Sequence, residues 1–257
     1  MTVGTMRVIQ VEVEGIDRQN DAPQVLHLHE DMELADNETG ATIWDGCLVA
    51  VAWMKKQQVQ YMWRSSVVLE LGAGTGAAGL VLAALGARVV LTDLPHLVPL
   101  MEKNVRANQA AFVYPPRVCA LPWSAPANEC SFDAAAVKSA LIRAMGSETA
   151  GSSLYAPTRC YILAVEIIYL ESTFSDLIAT LNWTWEIMFK PEQQQERAVE
   201  KLDVKLIIAA ELRVTVPEFF RQFHAAGWKH SFTPPEEYDD LYRSDDIRIL
   251  LAWRDMS

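Results

Sequence analysis

Residues 67–79 read Val-Val-Leu-Glu-Leu-Gly-Ala-Gly-Thr-Gly-Ala-Ala-Gly, a short apolar run that ends in a glycine-rich turn. A run of this length and type predicts a buried strand, and the glycines predict a sharp reversal after it. Two overlapping matches to G-x-G-x-x-G/A lie here, Gly72/Gly74/Ala77 and Gly74/Gly76/Gly79. A strand, glycine turn and helix in that order set backbone N–H groups beside whatever occupies the strand's carboxyl end. Taken alone, the motif describes a tight turn as well as it describes a ligand cradle. The residue that asks for an explanation is Glu70, a carboxylate in a strand expected to be buried.

Outward from this stretch the chain alternates strand and helix. The pattern predicts strand 67–71, helix 77–85, strand 87–92, helix 95–109 and strand 117–121. It resumes with strand 160–165, helix 172–181, strand 203–210, helix 216–225 and closing segments 229–233 and 246–253. Alternation of this kind implies an α/β fold with a mostly parallel sheet and helices on both faces. Before it, residues 7–13 and 24–30 alternate apolar and polar and predict an N-terminal hairpin. Ile43–Gln58 has helical periodicity, with lysines near its end. The domain boundaries read as a hairpin extension at 1–39 and the main domain at 40–257. Two stretches, 124–158 and 182–201, look like surface insertions, the first with a helix at Phe132–Met145.

Composition narrows the partners. The 257 residues include 33 acidic and 22 basic ones, a net charge of −11. That disfavours nucleic acid and favours a basic protein surface. The apolar run Leu71–Ala87 is broken by glycines and reads as turn plus helix, not as a membrane span. The N-terminus has no apolar core of secretory length. Cys47, Cys119, Cys130 and Cys160 show no C-x-x-C pair and suit reduced thiols of an intracellular protein, cytoplasmic or also nuclear. No spacing points to a metal: His27 and His29 share a strand face without a third ligand, and His224 and His230 show no partner in sequence.

Three residues sharpen the ligand. A carboxylate at Glu70 would repel a pyrophosphate and attract an ammonium group. Asp93, 17 residues beyond Gly76, can accept hydrogen bonds from a ribose hydroxyl pair; it also suits a helix N-cap before Leu94-Pro95. Trp123, after the third strand, offers a face to adenine or packs in the core. An adenosine joined to an amino acid without phosphates fits all three, and S-adenosylmethionine is one such molecule.

At these residues the chain resembles the seven-strand S-adenosylmethionine-dependent methyltransferases. More narrowly, it is similar to the lysine methyltransferase family that modifies chaperones, valosin-containing protein and elongation factors. The resembling pieces are residues 40–54, 67–95, 101–109, 121–123, 161–181 and 204–228. The resemblance implies a Rossmann-like seven-stranded sheet and a protein substrate, with S-adenosylhomocysteine as product. It implies that Glu70, Gly72, Gly74 and Gly76 hold the methionine part, Asp93 the ribose and Trp123 the adenine. Trp44 would cover the cofactor, although a buried anchor is an equal reading. The family's acid-x-x-tyrosine signature reads Glu166-Ile-Ile-Tyr169 here, with Glu where Asp is commoner, which implies that Glu166 orients the amine and Tyr169 walls its channel. Apart from the resemblance, Glu166 could be a strand-end carboxylate bonded to nearby backbone. Arg213 stands where the family often has a basic residue and carries no assigned role.

Overall fold

Strand β3 (Ser66–Leu71) is buried along its whole length, because it runs through the middle of a sheet covered on both faces. The computed structural model describes residues 6–11, 24–35, 39–123, 132–146, 157–189 and 203–255. Successive side chains of a strand point to opposite faces. Val67, Leu69 and Leu71 accordingly join one core layer and Val68 the other.

The remaining strands of this sheet are β4 (Arg88–Asp93), β5 (Arg117–Ala120), β6 (Arg159–Val165), β7 (Asp203–Glu211), β8 (Trp228–Phe232) and β9 (Ile247–Arg254). Their order is β5-β4-β3-β6-β7-β9-β8. The pairs from β5 to β7 are parallel, and β9 pairs antiparallel with β7 and with β8. The mostly parallel α/β sheet expected from the alternation is therefore present, with the seven strands that the resemblance implies. The chain moves outward from β3 through β4 to β5, then returns to the other side of β3 as β6. Ligands of open α/β sheets bind at such a reversal, outside the carboxyl ends of the strands.

One face carries α2 (Asp45–Lys56) and α4 (Ala77–Ala84), whose apolar residues share a core with Val68 and Leu91. The other carries α6 (Phe132–Met145), α7 (Phe174–Phe189) and α8 (Val216–Ala225). Helix α6 forms at the residues expected for it, but it packs against β3, β4 and β5, with Val137, Ala140 and Leu141 buried. Within the range read as an insertion, these residues build the core layer. Its contact stripe is narrow and made of small residues, which is why composition suggests a surface segment. Helix α7 likewise continues eight residues past its expected end at 181, burying Thr184, Trp185 and Met188. The rest of both stretches, 124–131, 147–156 and 190–202, lies outside the described residues.

The expected hairpin is a separate two-stranded antiparallel sheet of β1 (Met6–Val11) and β2 (Gln24–His29). It is fastened to the domain by α5 (Val98–Ala107) and the residue that ends it. Asn104 Oδ1 accepts the His29 N–H at 2.7 Å, and its Nδ2 donates to the His29 carbonyl at 3.0 Å and the Thr75 carbonyl at 2.9 Å. Asn108 repeats the pattern two residues earlier on the strand, accepting from His27 N–H at 2.6 Å and donating to the His27 carbonyl at 2.8 Å. On the far edge, His224 and His230 do have partners: their ring nitrogens lie 3.0 Å apart, with Phe220 stacked on His230.

Candidate active site

The glycine turn after β3 adopts a conformation that side chains disfavour. Gly72, Gly74 and Gly76 have φ of +63°, +56° and +81°, the left-handed region that glycine enters without penalty. Gly74 also needs the space, since a Cβ there would stand 2.6 Å from the Gly40 carbonyl oxygen. The N-terminal segment thus closes directly over the turn.

Two carboxylates hold the turn from below. Asp93 Oδ2 accepts the Gly74 N–H at 2.6 Å and Oδ1 the Leu94 N–H at 2.7 Å. Leu94 is the N-cap of the short helix that follows, so Asp93 stands one residue before the cap and braces the turn. Glu70 is 2 % exposed, and its Oε2 accepts the Gly79 N–H at 2.8 Å, satisfying one of the free donors of the first turn of α4. Burial pushes the Glu70 carboxyl up to about 8, the Gly79 N–H opposes that rise, and the charge of Asp93 adds to it. The repulsion of a pyrophosphate argued from sequence assumed an ionised Glu70; with this shift, full charge at neutral pH requires a cation beside it.

Above the turn lies a cavity of about 400 Å³, within the usual range for small-molecule sites. Trp44, Glu70, Gly72, Gly74, Asp93, Trp123, Glu166 and Tyr169 all line it. Gly76 does not; it stands one residue before α4, where a Cβ would press on Leu91. Trp123 is half-buried beside Gly72, and its carbonyl accepts a bond from Thr180 of α7 at 2.6 Å. Trp44 is 45 % exposed and donates from Nε1 to the Thr39 carbonyl at 2.7 Å, so it is a rim residue and not a buried anchor.

Glu166 follows β6 with φ of +57°, a conformation that costs a non-glycine residue about 1–2 kcal/mol. Its N–H donates to the Ala209 carbonyl at 2.8 Å, which extends the β6–β7 pairing. One carboxylate oxygen, Oε2, lies 3.8 Å from Arg213 Nη2. The other, Oε1, is buried without a hydrogen-bond partner. Burial raises the Glu166 carboxyl above its ordinary range; Arg213 and the Glu211 backbone N–H pull it back, while the Glu211 and Asp45 carboxylates push it up. Arg213 is itself held by Glu211 through Nη2 at 2.8 Å and Nε at 2.9 Å.

Two participants escaped the sequence reading. Arg213 joins the cavity wall, and Gly46 of α2 lies against the Glu166 carboxylate. A basic residue after the fifth parallel strand was a usable signal for the first; nothing in sequence linked position 46 to 166. Among the described lining residues Arg213 is the only lysine or arginine, and its charge is already shared between two glutamates. The wall therefore suits a ligand with a cationic group and hydroxyls better than a phosphate.

A family profile described as lysine methyltransferase matches residues 20–142. The chain is 32 % identical to EEF1A lysine methyltransferase 3 of Xenopus tropicalis over 143 residues, covering 56 % of this chain and 51 % of that protein. It is 33 % identical to protein N-lysine methyltransferase METTL21A of the same organism over 141 residues, covering 54 % and 53 %. The chain thus spans about half the length of these relatives. Among solved structures, the 16S rRNA N2 G1207 methyltransferase of T. thermophilus aligns over 97 % of this chain and 51 % of its own, with a TM-score of 0.49 and 13 % identity. Residues 20–142, which hold the glycine turn, Asp93 and Trp123, are thus similar to the lysine methyltransferase family.

Proposed function

We propose that the protein transfers a methyl group from S-adenosylmethionine to a lysine side chain of a protein substrate. One observation carries this reading: Glu70, Asp93 and Glu166 border a single cavity at the sheet's switch point. When bound, S-adenosylmethionine supplies an electrophilic methyl on a sulfonium and leaves as S-adenosylhomocysteine.

The residues divide the remaining tasks. Glu70 receives the ammonium group of the methionine part, and the glycine turn gives that part close approach to backbone. Asp93 braces the turn and lines the cavity, where its carboxylate receives the ribose hydroxyls. Trp123 lies against the adenine, and Trp44 covers it from the rim. A lysine amine attacks only when neutral, although its unperturbed pKa is about 10.4. Desolvation in the cavity and a nearby positive charge both favour loss of that proton to solvent. The Glu166 carboxylate then accepts an N–H of the amine, which aims the nitrogen lone pair at the methyl. Tyr169, 37 % exposed, walls the entry and offers its face to a cationic or methylated amine.

The net charge of −11, the carboxylate of Asp176 in the cavity lining and those of Asp45 and Glu211 near Glu166 favour a substrate segment with a basic surface. A substrate of this kind suits a protein that works in the cytoplasm or nucleus. Incubation with labelled S-adenosylmethionine and a cell lysate, followed by mass spectrometry, tests the reading. Label on protein lysines is the expected result. Label only on histidine, N-termini or small amines would replace the acceptor, and cofactor binding without any product would leave a scaffold.

A further inference from the structure

At the edge of the cavity the Glu166 side chain packs against bare helix backbone. Gly46 is the second residue of α2, and a Cβ placed on it would overlap Glu166 Oε1 and crowd its carboxyl carbon and Cγ. The Glu166 side chain therefore fills the volume that any other residue at position 46 would take. On its other side Arg213 stands 3.8 Å from Oε2, pinned in turn by Glu211. The carboxylate is thus bracketed by an absent side chain and a tethered cation. Its backbone sits in the left-handed region, which fixes the direction in which the side chain departs. A buried acceptor with no partner is uncommon in folded proteins and is satisfied when a donor arrives.

We propose that Gly46 is a positioning residue for the Glu166 carboxylate: the side chain it lacks is the room that lets a glutamate, one methylene longer than aspartate, seat Oε1 against α2 and so hold its carboxylate beside the substrate amine. The inference rests on the methyl-transfer reading and adds a residue to it. The atoms that a Cβ would meet belong to the end of a flexible side chain. An alanine at 46 would accordingly displace the carboxylate and leave the helix in place. Helix positions ordinarily favour alanine over glycine, so a loss of function there cannot be laid to helix propensity.

The test is a cycle of Gly46→Ala, Glu166→Asp and the double variant. With a lysine-bearing substrate, Gly46→Ala alone should lower kcat roughly tenfold or more, as misplacement of a catalytic group does. The dissociation constant of S-adenosylhomocysteine should stay within about twofold, a small fraction of a tenfold step. In the Glu166→Asp background the same substitution should change kcat by less than about threefold, because the shorter side chain vacates the volume of the alanine Cβ and the two sites are therefore coupled. Equal losses in the two backgrounds would overturn the proposal, as would a cofactor affinity that falls in step with kcat. Thermal unfolding midpoints supply a readout that needs no turnover. Gly46→Ala should raise the midpoint in the Glu166→Asp background and raise it less, or lower it, in the wild type. If no lysine is methylated by the wild type, the methyl-transfer reading fails, yet those midpoints still decide whether positions 46 and 166 are coupled; equal shifts would sink the proposal too.

Discussion

Glu70 Oε2 and the Gly79 N–H meet at 2.8 Å across nine residues of sequence, so the buried carboxylate of β3 also closes the first turn of α4. A Cβ on Gly79 would overlap that oxygen and Leu91 together. Gly79→Ala should therefore destabilise the fold by about 1–2 kcal/mol, since overpacking of about 1–3 kcal/mol outweighs the helix gain of under about 1 kcal/mol. Urea unfolding measures this, and a stabilised variant would contradict the contact.

Glu70 also sets a pH dependence. Its carboxyl lies near 8 in the folded chain against 4.5 ordinarily. Between those values the unfolded chain has lost the proton and the folded chain keeps it, so the contribution is complete below 4.5 and is lost as pH rises through 8. Glu70→Gln should flatten this decline. Binding of the cationic cofactor at pH 7 should release a proton from Glu70. Calorimetry in buffers of different ionisation enthalpy detects it, and the release should vanish in Glu70→Gln.

Trp44 separates covering from packing. An exposed rim residue contributes little to the fold, so Trp44→Ala should change stability by no more than about 0.5 kcal/mol. Cofactor affinity should fall about tenfold, near 1.4 kcal/mol. A large loss of stability with unchanged affinity would make it an anchor instead.

Arg213 is the cation that opposes the upward shift of Glu166. Its removal in Arg213→Gln should raise that carboxyl further, moving the acid limb of the kcat profile to higher pH while cofactor affinity holds. Arg213→Lys should restore part of the shift, being a cation without the forked geometry. An unmoved profile would remove Arg213 from the site.

The sheet was legible because burial on two faces writes itself as unbroken apolar runs, as in Val67-Val-Leu and Tyr161-Ile-Leu-Ala. The two carboxylates of the cavity were legible too: Glu70 and Asp93 stand at strand ends beside the glycine turn, and both line that cavity. What sequence withheld was tertiary. Helix α6 contacts the sheet through alanines and two larger residues, a pattern that composition cannot tell from a surface segment. Gly46 and Glu166 lie 120 residues apart, and the reason for the glycine is a carboxylate brought to it only by folding. Gly76 was assigned to the ligand because the motif carries three equivalent glycines; its place before α4 is a matter of turn geometry.

The paired asparagines of the α5 segment have a mechanical consequence. Each side-chain amide engages both polar groups of one β2 residue, and the two lie one helical turn apart to match alternate residues of the strand. A slip by one turn would leave an amide facing nothing, so the strand can dock in a single register. Because Asn104 also grips the Thr75 carbonyl inside the glycine turn, docking and turn shape behave as one cooperative unit. Loading the turn with ligand should then slow amide exchange at His27 and His29, making the hairpin a remote gauge of occupancy.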